Sequence, residues 1–416
     1  MFEWVLEYAV PFLFVLTVLV FVHELGHYLV ARWNGVRVEV FSIGFGPELF
    51  GWTDKAQTRW KISAIPLGGY VKMFGDINAA SMPDSAIAEM SPEERAVAFP
   101  TKRLGQRAWI VAAGPIANFI FAILLFAGLY VFVGQPFTPP VIGSIQAGSA
   151  AEAAGLMDGD VFVRIDGESI ERFEDIQRIV RIAANQPLEV VVLRDGGEIG
   201  VTATPRLETF TDNFGNEHEI GLLGIQGSAP EFVKRNPATS IWLASKETVS
   251  LVGSIFQAIG QIIVGTRKAD ELGGPLRIAE ISGQAAEMGI LAIVQFMAVI
   301  SVNLGLINLF PIPILDGGHL LFYAYEAVRG RPLGERAQEY GFRIGLALVL
   351  GLMVFVTWND LIHFLSYTSP GRAMTGPSNM RRLPNVSWPG VPPIRPPEKP
   401  PKPPAEEPPP PVHAPH

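Results

Sequence analysis

Cysteine is absent from all 416 residues, which excludes disulfides and thiolate metal ligands and leaves nitrogen and oxygen donors to hold any metal. Charge is also scarce. Asp, Glu, Lys and Arg make up 17% of the chain against 49% hydrophobic residues, a balance unlike that of an ordinary soluble protein. The formal net charge is −8 and no stripe of clustered Lys and Arg is present, so no nucleic-acid partner is expected.

Long apolar runs stand in place of the missing charge. Residues 8–30 are apolar until near their end, long enough to cross a hydrocarbon core of about 30 Å at about 1.5 Å per residue. Their flank carries Glu3 and Glu7 but no base, and no small-residue cleavage site follows, so the run reads as an anchor rather than a cleavable signal peptide. Further runs at 108–133, 292–310 and 341–358 make four spans the simplest count, with the lipid bilayer as a partner.

The connection between the first two runs holds Arg32, Arg37, Lys55, Arg59, Lys61, Lys72, Arg95, Lys102, Arg103 and Arg107. The positive-inside tendency puts it in the cytoplasm, with Arg329, Arg331 and Arg336 on the same side. The expected organisation is mainly α, a polytopic helical membrane core of about four transmembrane helices with an inserted α+β domain. The core occupies 1–135 and 289–369, and the inserted domain 136–230 lies outside the cytoplasm. Within that domain strands are expected at 141–145, 161–165 and 188–193 and a helix at 173–184.

Residues 231–288 contain an apolar stretch, 240–265, interrupted by Lys246, Glu247 and several Gly and Ser. It reads as an amphipathic or interfacial helix, with a fifth span as the alternative. The proline-rich tail 370–416 cannot bury a core and is expected to be disordered or polyproline II.

The first span ends in His23-Glu24-Leu25-Gly26-His27. On a helix the two histidines, four residues apart, share a face and can hold one metal ion, while Glu24 beside them is the natural general base for an attacking water. Ionisable groups are expensive in a membrane span, so their presence there points to function. A tetrahedral catalytic Zn²⁺ needs a third protein ligand. Asp316, in Asn308-Leu-Phe-Pro-Ile-Pro-Ile-Leu-Asp-Gly-Gly-His319, ends the third span on the same expected side of the membrane. His319 is a competing ligand ranked below it. The prolines at 311 and 313 break the helix, and irregular backbone at this depth must line protein or water rather than lipid.

At this point the chain resembles the site-2 protease family of intramembrane zinc metalloproteases, and within it the bacterial RseP-type regulators. The resemblance is carried by HELGH at 23–27, FSIGFGP at 41–47, IPLGGYVKM at 65–73, AGPIANF at 113–119 and SVNLGLINLFPIPILDGGHLL at 301–321. It implies a zinc metalloendopeptidase with His23, His27 and Asp316 as zinc ligands and Glu24 as base. It also implies substrate-backbone or oxyanion roles for Asn303 and Asn308.

IPLGGYVKM reads as a hairpin with Gly68-Gly69 near a bend. In the family such a segment presents a strand edge to substrate, here Gly68, Gly69, Tyr70 and Val71. SAAEAAGLMDGDVFVRIDGESI at 149–170 looks like part of a PDZ domain, one unit where well-known RseP-type members have two, and implies a peptide or protein ligand. By this resemblance the substrate is a single-span membrane protein such as an anti-sigma factor, cut in the inner membrane of a bacterium in an envelope stress response. The competing readings are a membrane-anchored PDZ adaptor with a vestigial core and a metal transporter. Intact Glu24 speaks against both, since neither needs a general base.

Overall fold

The computed structural model describes residues 5–75, 90–211, 217–229, 231–265 and 273–368. The proline-rich tail lies outside the described residues. The helices are α1 (Val10–Trp33), α2 (Pro92–Val97), α3 (Leu104–Phe132), α4 (Ala150–Ala153), α5 (Phe173–Ile182), α6 (Pro237–Val264), α7 (Pro275–Met288), α8 (Ile290–Asn308), α9 (Asp316–Arg329) and α10 (Glu335–Thr368). The strands are β1 (Val38–Thr53), β2 (Arg59–Met73), β3 (Gln135–Phe137), β4 (Ile142–Ile145), β5 (Val161–Ile165), β6 (Glu168–Ser169), β7 (Leu188–Arg194), β8 (Gly197–Ala203), β9 (Arg206–Thr211), β10 (Glu217–Leu222), β11 (Ile225–Gly227) and β12 (Glu231–Val233). They fall into two compact units: Met1–Gln135, Arg206–Leu222 and Phe232–Gly376 form one, and Pro136–Pro205 with Leu223–Glu231 belong to the other. The β9–β10 hairpin therefore joins the first unit, inside a stretch that the sequence places wholly in the inserted domain.

The first unit is a helical bundle. Among the described residues five helices are long and apolar enough to cross a membrane: Leu6–Trp33, Leu104–Phe132, Pro237–Val264, Ile290–Asn308 and Arg336–Leu361. This criterion adds α6, the stretch for which the sequence left a fifth span as the alternative, to the four runs counted from the sequence. Adjacent Lys246 and Glu247 do not stop α6, because a helix disperses neighbouring residues around its axis and a long apolar segment tolerates two charges. Asn236 accepts a hydrogen bond from Thr239 N–H at 2.9 Å as the N-cap of α6, and Gly265 ends it in the left-handed region at φ 82°.

Helix directions follow from particular contacts. His27 lies against Ile110 and His23 against Asn118, so α1 and α3 run oppositely. Ser301 donates to the Asn118 carbonyl at 2.8 Å, while Ala298 packs beside Phe126, so α8 also opposes α3 and runs with α1. α6 starts where α3 ends, with Arg235 N–H on the Tyr130 carbonyl at 3.2 Å. α7 presses Gly283 against Tyr8, in the helical turn Val5–Ala9 that leads into α1. Asp360 on α10 accepts from the N–H groups of Gly274, Leu276 and Arg277 at 2.9–3.2 Å, capping α7 from a separate helix.

β1 and β2 each fold back once. Residues 40–43 pair with 72–69 on one side and, in matching order, with 59–62 on the other, while 48–53 pair with 63–59. The result is four short segments in the spatial order 48–53, 59–63, 38–43, 69–73. Gly44 and Gly46, at φ 88° and 86°, make the first fold-back, where a side chain would be strained. Asp54 closes the intervening turn by accepting from the Ala56 and Thr58 N–H groups and the Trp60 indole. Gly68-Gly69 stands at the second fold-back, between 63 and 69, rather than at the tip of a simple hairpin.

In the second unit, the sheet has the order β6-β5-β7-β8, with β4 paired to β11. Phe162 and Ile165, set on one face by a bulge between them, and alternating Val190 and Val192 bury against Phe173, Ile176 and Val180 of amphipathic α5. The helix ends at Ile182, two residues before the expected 184.

Candidate metal centre

His23 and His27 are both buried on α1, facing α3 and the start of α9. The His27 Nδ1–H donates to the Ile110 carbonyl at 2.9 Å, an oxygen that can only accept, so the Nε2 lone pair is free to point inward. Asp316 reaches the same point from a broken stretch of chain. Pro311 and Pro313 cannot donate backbone hydrogen bonds, Ile314 adopts φ 131°, and α9 restarts at Asp316, where the positive end of a helix favours a carboxylate.

Asp316 Oδ2 is 3.1 Å from His23 Nε2 and 3.5 Å from His27 Nε2, and the two Nε2 atoms are 3.2 Å apart. Oδ2 is buried and has no hydrogen-bond partner. Three lone-pair donors thus converge without a donor proton between them, an arrangement that repels itself unless a cation sits at the centre. Donors about 2.0–2.1 Å from a tetrahedral Zn²⁺ are about 3.4 Å from one another, so the observed triangle fits that ion. The oxygen and nitrogen donor set, without sulfur, suits a catalytic zinc site with one open position.

Gly114 on α3 makes the approach possible, since a Cβ there would collide with His27 Nε2. Glu24 faces the β-sheet. The Val71 backbone adjoins its carboxyl group, and a Cβ on Gly69 would lie 3.3 Å from Glu24 Cγ. Gly69 and Val71 are therefore beside the proposed base. Tyr70 turns toward Phe45, with ring centroids 6.1 Å apart, and Gly68 lies against that same Phe45 ring.

Other expected residues have contacts of their own. Asn303 donates from its amide to the Val299 carbonyl of its own helix at 3.0 Å, and Asn308 is the last residue of α8, partly buried. His319 is buried one turn after Asp316, but its ring packs 5.3 Å from Phe342 and 6.4 Å from Phe322 by centroid, outside the ligand group His23, His27 and Asp316. Ile110, Gly114 and Asn118 were not singled out from sequence, although AGPIANF contains the last two.

The profile of Peptidase family M50 matches residues 11–352, a span that includes every ligand of this centre. The chain belongs to Peptidase family M50. A protein of Agrobacterium fabrum, named provisionally as a zinc metalloprotease, is 52% identical over 359 residues, covering 85% of this chain and 95% of the relative. A Rhizobium meliloti protein with the same provisional naming is 48% identical over 362 residues, covering 86% and 97%. Metalloprotease MmpA of Caulobacter vibrioides is 44% identical over 377 residues, covering 85% and 94%. This M50 chain is a membrane zinc metalloprotease of the site-2 protease family.

When bound, zinc supplies Lewis acidity, polarising a carbonyl and activating water for attack. His23, His27 and Asp316 would hold it. Glu24, to which the family resemblance assigns the base role, would take the proton of the attacking water and return it to the leaving amine. The packed α1–α3 face beneath the ligands excludes bulk solvent and fixes both imidazoles.

Proposed function

We propose that this M50 peptidase hydrolyses peptide bonds in or beside the transmembrane segment of single-span membrane proteins. The observation that carries the proposal is the position of segment 69–73: it borders the sheet, pairs with 38–43 on one side, and lies against Glu24 through Gly69 and Val71. A helical substrate hides its peptide bonds, whereas one drawn out as an added strand along this edge would offer a carbonyl beside the metal ligands. Gly68, Gly69, Tyr70 and Val71 are its proposed binding segment, and Asn303 and Asn308 take backbone or oxyanion roles after side-chain rotation. An anti-sigma factor in an envelope stress response is the substrate class that the family resemblance favours.

The proposed setting is a bacterial inner membrane crossed four times. Helices α1 and α8 run in the same direction while α3 opposes them, so the chain leaves α3 and enters α8 from one side of the membrane. The stretch between them must then cross an even number of times. α7, 14 residues and about 21 Å long, is too short to be a return crossing. We read α6 as a helix that enters the bundle, Phe256 meeting Phe310 at 6.2 Å, rather than as a fifth span. The basic residues flanking the metal-ligand end support a cytoplasmic position for it. The second unit would then be periplasmic. Its sheet, α5 and the short β4–β11 pair support a PDZ-like reading, with a peptide or protein ligand adding to the β11 edge beside Phe173.

Reconstitution with a single-span substrate tests the proposal. Cleavage should map within or next to the span, stop on chelation and return with zinc; cleavage confined to soluble peptides would reject it. Because the chain has no cysteine, single cysteines at Lys234 and Glu287 give unambiguous labelling. Both should react from the same membrane face, and labelling from opposite faces would refute four crossings.

A further inference from the structure

The two histidines of the metal centre are oriented by different means. His27 is held by a backbone carbonyl, which no side-chain substitution removes. His23 is held by a side chain: the amide of Asn118, with its Nδ2 3.2 Å from His23 Nδ1. Asn118 is fully buried on α3, one turn beyond Gly114, and its Oδ1 has no hydrogen-bond partner.

This pairing has a chemical consequence. His23 contributes Nε2 to the converging ligand group, so its neutral ring carries the proton on Nδ1. An amide N–H₂ facing that N–H would set donor against donor, while the amide oxygen would stay buried and unsatisfied. Turning the amide over cures both defects, because the oxygen then accepts the imidazole proton. We propose that Asn118 is a positioning residue whose side-chain oxygen accepts the Nδ1–H of His23, fixing that ring with Nε2 toward zinc.

The scaffold holds Asn118 in place for this task. Its backbone carbonyl accepts from Ser301 at 2.8 Å, and Gly305 of α8 packs against it, with a Cβ there only 3.3 Å from Asn118 Cβ. α8 thus supports the outer side of the amide, while the inner side meets the ligand. Hydrogen bonds behind a metal-bound imidazole commonly affect metal affinity by about 10- to 100-fold.

The test uses the purified full-length chain in detergent and reads zinc affinity by chelator competition. Asn118→Leu, similar in size but without an acceptor, should lose about 10- to 100-fold in affinity. Asn118→Asp preserves the acceptor and should bind zinc at least as tightly as the wild type. A residue that only packs α3 against α8 predicts the reverse order, with leucine tolerated and a buried carboxylate harmful. Wild-type affinity in Asn118→Leu, or a tenfold loss in Asn118→Asp, would overturn the proposal. If the leucine variant does not fold, the aspartate variant still decides between the two roles.

Discussion

Gly114 and His27 are packed so closely that one methyl group on the glycine would enter the space of the imidazole Nε2. The contact joins the backbone of α3 directly to a ligand on α1, leaving no flexible side chain to absorb a change. Gly114→Ala should therefore displace the imidazole. Overpacking typically costs about 1–3 kcal/mol, so zinc affinity should fall about tenfold or more, while the bundle stays helical. Chelator competition together with circular dichroism measures both effects, and unchanged affinity would show that the helices separate without disturbing His27.

Glu24 adjoins the ligands without being one. Glu24→Gln should retain zinc but lose about a hundredfold to ten-thousandfold in cleavage of a model transmembrane substrate, the usual contribution of a positioned base. Loss of zinc in this variant would instead assign Glu24 to the ligand set.

Asp316 and His319 separate cleanly by location. Asp316→Ala should release zinc during dialysis. His319→Ala should keep zinc, because that ring fills space against Phe322 and Phe342, but should cost about 2 kcal/mol of stability through the cavity left behind. Metal analysis of the two proteins provides the comparison; zinc loss from the His319 variant alone would exchange their roles.

In the second unit, Asp160 is buried and paired with Arg194 at 2.6 Å. The guanidinium hydrogen bonds lower the carboxyl below its usual pKa, against the opposing effect of burial, with help from the Met157 N–H. A depressed folded-state pKa stabilises fully above the unfolded value, near 3.9, and the benefit disappears as pH falls through the folded value. Relative to Asp160→Asn, the wild type should gain about 2 kcal/mol at pH 7 and progressively less below about pH 4. Hydrogen exchange in β5 and β7 of the full chain reads this difference. A pH-independent difference would exclude the charge as its source.

The metal ligands were legible because histidine and aspartate are conspicuous in apolar segments. HELGH has helical spacing, and the paired prolines before Asp316 announce a break. Asn118 and Gly114 were not legible as site residues, since an amide or a glycine in a membrane helix ordinarily signals close packing. Their roles depend on which helix faces them, and periodicity does not specify that. The helix at Pro237–Val264 was legible nearly to its ends, whereas its relation to the membrane was not, because Lys246 and Glu247 interrupt the hydropathy run. The sheet was harder still: Gly44, Gly46 and Gly68 mark bends, but only the register shows residues 40–43 inserted between two segments that come later in the chain.

The divided origin of the metal centre also governs when hydrolysis can begin. HELGH leaves the ribosome early, but Asp316 follows only after α3, the second unit and α8 have been made. A nascent chain accordingly holds two histidines and a base with no complete ligand set. The ligand set is complete only once the chain has been made through Asp316, so until then the histidines lack their third partner.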